Sequence, residues 1–350
     1  MFLTEKEIME QHVALTETFQ YFIENKAVIE GFFKKHNEKK FLFLGCGSSY
    51  MLAKTGQRKF AACRDTAANA IAGGDYLVNK DFYEETVKGS IVVVLSRSGQ
   101  TTEIVESVKE MKKRYGNPMI SISAKAANDV MPYSDLDITL DWCYDQSVSQ
   151  TRTVTNLYMA ILFLAAIYQE DNAMIADLFR VVLENKEYKE EYRDCLREIA
   201  RRAWDNVVIL ADGPVIGIGE EGALAFTEIA MVPGGFFNLL DYRHGPMVLN
   251  DERTLTIVLV GPGENRLQKD MLEDLKARKC ILITVSTEKE NIYGADANIY
   301  IGDVKDFGVM GIPFIFIMQC LAYEKALIRG TNPDAPIGLD AFITLCKKSE

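Results

Sequence analysis

Residues 91–114 read IVVVLSRSGQTTEIVESVKEMKKR. Ile91–Leu95 are five apolar residues in a row, the pattern of a buried strand, and the stretch after Thr102 is helical in character. Between them four hydroxyl side chains, those of Ser96, Ser98, Thr101 and Thr102, crowd around Gly99. A buried strand that hands over to a helix in this way is one half of a parallel α/β unit.

The same alternation runs through the chain. Apolar strands are expected at 40–45, 90–96, 118–123 and 136–141, and again at 207–212, 254–261, 280–286 and 297–302, with amphipathic helices between them. Paired in order, the two sets start 161 to 167 residues apart, and each closes on a long apolar helix, at 151–168 and 308–328. Order and spacing point to a duplicated domain. The fold class expected is α/β, with two tandem doubly wound parallel-sheet domains of flavodoxin-like type. The boundaries drawn are an N-terminal helix over 1–24, a first domain over 25–170, and a connecting helix over 171–203 with a solvated, charged face. A second domain over 204–335 and a tail over 336–350 complete the chain.

Composition narrows the function. The 39 basic and 50 acidic residues leave a net charge of −11, a field that repels nucleic acid and anionic membranes. A phosphorylated ligand then needs a local electropositive pocket. The 7 cysteines include no CxxC pair and no metal-ligand spacing, and read as buried free thiols of a reducing, cytoplasmic setting. Cys46, in GCGSS, reads as one of these rather than as a nucleophile, since no histidine partner is evident. The N-terminus MFLTEKEIMEQ lacks the apolar core of a signal peptide, and Thr4 with Glu7 suggests a capping box. The apolar stretch 154–168 is too short to span a bilayer and reads as a buried helix. No membrane, nucleic-acid or metal partner is expected, and no cofactor.

In open α/β sheets ligands bind off the carboxyl ends of the strands. Two hydroxyl-rich turns of the first domain fall there, one running from Gly45 through Gly47 to Ser48 and Ser49, the other from Ser96 to Thr101. Helix N-termini offer unpaired N–H groups and partial positive charge, and serine and threonine add donors, so two such turns together make a phosphate cradle. The same hydroxyls could serve as ordinary helix caps, although one cap would not need four of them. Neither hydroxyl turn is a Walker loop or a GxGxxG fingerprint. The matching turns of the second domain are poor in hydroxyls and carry carboxylates, which makes that domain the candidate for the chemistry.

GCGSSY (45–50), SRSGQTTE (96–103), EEGALAFTE (220–228) and DYRHGPMVLND (241–251), in this order, resemble the tandem sugar-isomerase (SIS) family. Its best-known member is the isomerase half of glutamine-dependent glucosamine-6-phosphate synthase. DQSVSQTRTVTNLY (145–158) is similar to the family's entry into the last helix of the first domain. The resemblance implies that Ser48, Ser49, Ser96, Ser98 and Thr101 bind the substrate phosphate. It implies that Glu228 is the general base, and that His244 opens the sugar ring, delivered from the neighbouring subunit of a homodimer with a shared active site. Gly47, Arg97 and Gln100 of the same loops, together with Glu221, Asp241 and Arg243, are secondary candidates. Independently of the resemblance, Glu221 and Glu228 are seven apart and share a helix face. The apolar neighbours of Glu228 lead one to expect partial burial and a raised pKa.

Two positions depart from the synthase pattern. Ala225 stands where it has a lysine, and Ala341 stands at its catalytic C-terminal lysine, with Lys347 and Lys348 a few residues on. No glutaminase domain is expected, since these residues include no N-terminal nucleophilic cysteine, and glutamine-dependent amination is not expected either. The resemblance implies a phosphosugar aldose–ketose isomerase using an enediol or enediolamine intermediate, with ammonia release if the substrate is an amino sugar 6-phosphate. A fructosamine-6-phosphate deglycase is the rival enzyme, and a non-catalytic sugar-phosphate sensor the rival of another class.

Overall fold

The eight apolar runs read from the sequence are all strands of two parallel sheets. The structure, a computed structural model, describes residues 2–263, 265–341 and 343. The chain opens with α1 (Leu3–Met9), α2 (Gln11–Glu24) and α3 (Lys26–Lys35). The first sheet is built from β1 (Lys40–Gly45), α4 (Ser48–Ala61), β2 (Ala67–Ala72), α5 (Gly73–Val78), α6 (Glu84–Val87) and β3 (Ile91–Ser96). It continues through α7 (Thr102–Tyr115), β4 (Met119–Ser123), β5 (Leu136–Thr139) and α8 (Arg152–Gln169). After α9 (Asn172–Ala200) come β6 (Asn206–Leu210), α10 (Ile216–Ile229), β7 (Gly234–Phe237), β8 (Thr254–Leu259) and α11 (Asn265–Ala277). The second sheet ends with β9 (Ile281–Ser286), β10 (Ala297–Tyr300) and α12 (Gly311–Arg329).

The strand order is β2-β1-β3-β4-β5 in one sheet and, read from the corresponding edge, β7-β6-β8-β9-β10 in the other. Every pair is parallel. The identical order confirms the duplication. β3, β8 and β9 are buried at every residue, as strands covered on both faces must be. β2 and β7 were not expected. Their sequences, AANAIA and GGFF, have little β propensity, and pairing with β1 and β6 puts them at the sheet edges.

Contacts divide the chain into two compact units. The first-lobe unit takes residues 13–146 and 152–175, with Asp340, Ala341 and Ile343 of the tail. The second-lobe unit takes residues 2–12, 147–151 and 176–339. Within it, α12 is long and apolar enough to cross a membrane, yet 89% of its 18-residue apolar window is buried, which makes it a core helix. The N-terminal capping box does not form. Thr4 lies inside α1, and the carboxylate of Asp334 instead accepts the N–H groups of Leu3 and Thr4 at 2.9 and 2.8 Å. Glu7, the other half of the expected box, accepts the Ser147 N–H at 3.2 Å.

Candidate active site

β1 and β3 are neighbours, with Leu44 opposite Val94, so the loops that follow them leave the sheet side by side. Strand order changes direction between these two strands, the switch point at which open α/β sheets hold ligands. On one side Gly47, at φ +54, turns the chain into α4, whose first residues are Ser48 and Ser49, 6% and 4% exposed. Neither hydroxyl has a partner among the described residues. On the other side, Ser96 Oγ accepts the Gly99 N–H at 3.0 Å and Ser98 Oγ accepts the Gln100 N–H at 3.1 Å. Each oxygen thereby holds the loop in shape and keeps its own proton to donate. Thr101 is the N-cap residue of α7, but its side chain makes no cap bond. The plain capping role, open from the sequence, does not account for these hydroxyls.

Cations border the loop. Arg97, 4% exposed, lies 5.8 Å from the Tyr144 ring centre and donates from Nη2 to the Ala341 carbonyl. The Thr102 N–H reaches the Ile343 carbonyl at 3.5 Å, so the described part of the tail runs along the same loop. Lys125 Nζ donates to Gln100 Oε1 at 2.8 Å. Asn128 braces the loop from below, its Nδ2 reaching Ser123 Oγ at 3.0 Å and its Oδ1 accepting the Val130 and Met131 N–H groups at 3.1 Å. Sequence reasoning missed Lys125 and Asn128. They lie one strand away, and their relation to Gly99 and Gln100 comes from the β3–β4 pairing rather than from a motif.

The second lobe holds the remaining candidates. α10 carries Glu221, 2% exposed, and Glu228, partly exposed, two turns apart, with the buried Ala225 between them. Gly222 packs so close to α12 that a β-carbon there would meet Met318 Sδ at 1.9 Å, which fixes α10 firmly. Asp241–Arg243 form a single 3₁₀ turn anchored by the buried Tyr242. His244 ends that turn, its N–H bonded to the Asp241 carbonyl at 2.8 Å and its side chain exposed. Arg243 gives its Nε to Asp274 on α11 at 2.7 Å, so its head is held within its own lobe. Val248 and Leu249, close by, are 72% and 78% exposed.

The second lobe's own switch point, at the ends of β6 and β8, is built differently. Asp212 accepts from Asn238 Nδ2 at 2.8 Å and from the Leu239 N–H at 3.3 Å. Gln268 bonds both the N–H and the carbonyl of Gly261, at 2.9 and 3.1 Å. The cavity of about 380 Å³ beside them is lined largely by leucines and Phe307, no place for a phosphate. Duplication has left one polar cradle and one apolar pocket.

Among the described cysteines none forms a disulfide. Cys46 is partly buried and burial pushes its thiol up, which disfavours the thiolate a nucleophile needs. Cys195, expected to be buried, is exposed on the solvated side of α9. Lys347 and Lys348 lie outside the described residues. Among those described, no group of three or more His, Cys, Asp or Glu side chains could hold a metal ion.

Comparison with known proteins bears on this arrangement. The SIS domain matches residues 36–167 and 202–329, one copy on each sheet. The glutamine–fructose-6-phosphate aminotransferase (isomerizing) of Sulfurisphaera tokodaii is 25% identical over 346 residues, covering 97% of this chain and 56% of that protein. Its counterpart in Shewanella oneidensis is 24% identical, again over 97% of this chain and 58% of the relative. The chain thus spans a little over half the length of these relatives. Among solved structures, a glucosamine-6-phosphate deaminase from Thermotoga maritima superposes with a TM-score of 0.83 at 24% identity, covering 98% of this chain and 100% of that one. A tagatose-6-phosphate ketose/aldose isomerase from Escherichia coli superposes at 0.85 with 18% identity, covering 99% and 97%. At these identities the superpositions establish the fold.

Proposed function

The chain belongs to the SIS domain family, and we propose that it is a phosphosugar aldose–ketose isomerase acting on a sugar 6-phosphate. The observation that carries this reading is the pair of hydroxyl loops at the β1–β3 switch point. The Ser96 and Ser98 oxygens there are fixed by backbone N–H groups, and the Ser48, Ser49 and Thr101 hydroxyls remain to donate. Arg97 and Lys125 supply the local positive charge that an acidic protein needs to attract a dianion.

In this reading the phosphate anchors the molecule, and remote binding energy holds its reacting carbons in place. His244 moves the proton between ring oxygen and hydroxyl as the ring opens. Glu228 takes the proton from the carbon beside the carbonyl and returns it to the neighbouring carbon through an enediol, or an enediolamine for an amino sugar. In the latter case the ketimine formed is hydrolysed by water and ammonia leaves. The exposure of His244, Val248 and Leu249 supports a homodimer in which this histidine serves the partner's substrate. Free cysteines throughout the described chain suit a cytosolic setting.

A second reading, a fructosamine-6-phosphate deglycase, is favoured by one observation. Ala341, beside Arg97, offers no amine where the synthase pattern has its lysine. The test is a panel of hexose 6-phosphates, amino sugar 6-phosphates and fructosamine 6-phosphates, followed for isomer, ammonia and free amine. Turnover of a hexose or amino sugar phosphate is expected. Release of amine from fructosamine phosphates alone would select the deglycase, and no turnover with tight binding would leave a sensor.

A further inference from the structure

Helix α9 turns Val181, Glu184, Asn185, Tyr188 and Glu191, three and four residues apart, onto one face. In the second-lobe unit that face looks onto the carboxyl end of β10 and the first turn of α12, and the space between is a cavity of about 220 Å³. This is below the roughly 300 Å³ at which drug-sized ligand pockets begin, so it has room only for a small molecule.

Asn185 marks the cavity as a site. It is 2% exposed, and neither its amide nitrogen nor its amide oxygen has a hydrogen-bond partner. The aromatic polar groups nearby are all used. Tyr188 Oη donates to the Pro313 carbonyl at 3.1 Å, and Tyr300 Oη donates to Asp303 at 2.9 Å. The Tyr300 N–H meets Tyr192 Oη at 3.2 Å. An amide buried with both ends empty is disfavoured unless something completes it.

The charge around it says what. Glu184, Glu187 and Glu191 line the cavity, and among the described residues no lysine or arginine pairs with them. Gly302, at φ +81, leaves room for Glu184 against the backbone, where a β-carbon would lie 2.7 Å from Oε2. The hydroxyl of Tyr300 is pushed up to about 12, by burial first, then by its bond to Asp303 and the charges of Asp303 and Glu184. Arg180, whose charge opposes that rise, donates to the Asp303 carbonyl, and Lys289 stands over the Tyr300 ring at 5.3 Å.

We propose that this cavity binds a small organic ammonium compound that also carries a hydroxyl or carbonyl oxygen. The ammonium donates to Asn185 Oδ1 and is neutralised by the glutamates, while the ligand's oxygen accepts from Asn185 Nδ2. The site lies on α9 and the last strand, not on the hydroxyl loops, and it stands whichever sugar reading holds.

The test is titration of the whole protein with ethanolamine, read by calorimetry and by thermal shift. Putrescine serves as a cation without the acceptor, and glycerol as a neutral control. Ethanolamine is expected to bind saturably, putrescine more weakly and glycerol not at all. Asn185→Leu should fold with unchanged or higher thermal stability, because it removes an unpartnered buried amide, and should lose affinity by about tenfold or more. Glu184→Gln and Glu187→Gln, on the rim, should each weaken binding as well. No saturable binding of ethanolamine, or binding untouched by all three substitutions, would overturn the proposal. So would displacement by inorganic phosphate, which would put the amine on the hydroxyl loops. A change in sedimentation with Asn185→Leu and no ethanolamine binding would overturn it too, by making this face a contact between copies.

Discussion

Gly99 and Asn128 fit against each other so closely that a β-carbon on residue 99 would lie 2.4 Å from Asn128 Cγ. Asn128 cannot yield, since its amide is bonded to Ser123 and Lys125 and to the backbone after it. Gly99 also sits at φ +60, where other residues are strained. Gly99→Ala should displace the Ser96–Thr101 loop and raise KM for the sugar phosphate by about tenfold or more, while the global fold melts within a few degrees of wild type. Unchanged KM would show that the loop does not touch substrate.

Thr101 separates ligand binding from helix capping. Its side chain makes no cap bond to α7, so Thr101→Ala should cost well under the roughly 1 kcal/mol of a lost cap. The same change should weaken phosphate binding several-fold. Denaturant midpoints and phosphate affinities measured on one preparation decide it, and a full capping loss with intact affinity would reverse the assignment.

Cys46 lies within the first of the two cradle turns, between Gly45 and Gly47, yet its thiol is pushed up by burial. Cys46→Ala should retain turnover within a few-fold. Loss of activity with normal folding and normal phosphate binding would instead point to thiol chemistry.

What the sequence could reveal follows from where the information sits. Ile91–Leu95 announce a strand because a doubly covered strand must be apolar at every position. The hydroxyl turns after β1 and β3 are equally visible because their residues are contiguous. β2 and β7 were hidden, since AANAIA and GGFF become strands only by pairing with β1 and β6. Asp334 capping α1 joins residues at opposite ends of the chain, and no local pattern could displace the Thr4–Glu7 reading. Lys125 and Asn128 were missed for the same reason. The position of Arg97 in its loop was legible, but its bond to the Ala341 carbonyl was not.

Lys189 gives a pH dependence. It is fully buried, its Nζ donates to the Met9 carbonyl at 2.6 Å, and burial pulls its ammonium down to about 7. The unfolded chain keeps that proton up to about pH 10.5, so between about 7 and 10.5 the unfolded state binds more protons and stability rises with pH. The slope from this group is at most about 1.4 kcal/mol per pH unit, and it vanishes below 7, where both states are protonated. His12, 3.3 Å from Lys189, is lowered by burial first and then by the lysine's charge, which carries the same sign below 6.5. Lys189→Met should flatten the rise in denaturant midpoint between pH 7 and 9. A rise as steep as that of wild type would show that other groups cause it.

The most direct measurement is solvent hydrogen exchange at the carbon beside the carbonyl of the bound sugar phosphate, in heavy water, with wild type and Glu228→Gln. Deuterium should enter that carbon with wild type and not with the variant, while both bind the sugar phosphate with similar affinity. Exchange that persists in Glu228→Gln, or affinity lost together with exchange, would contradict the assignment of Glu228 as the base acting on a molecule held by its phosphate.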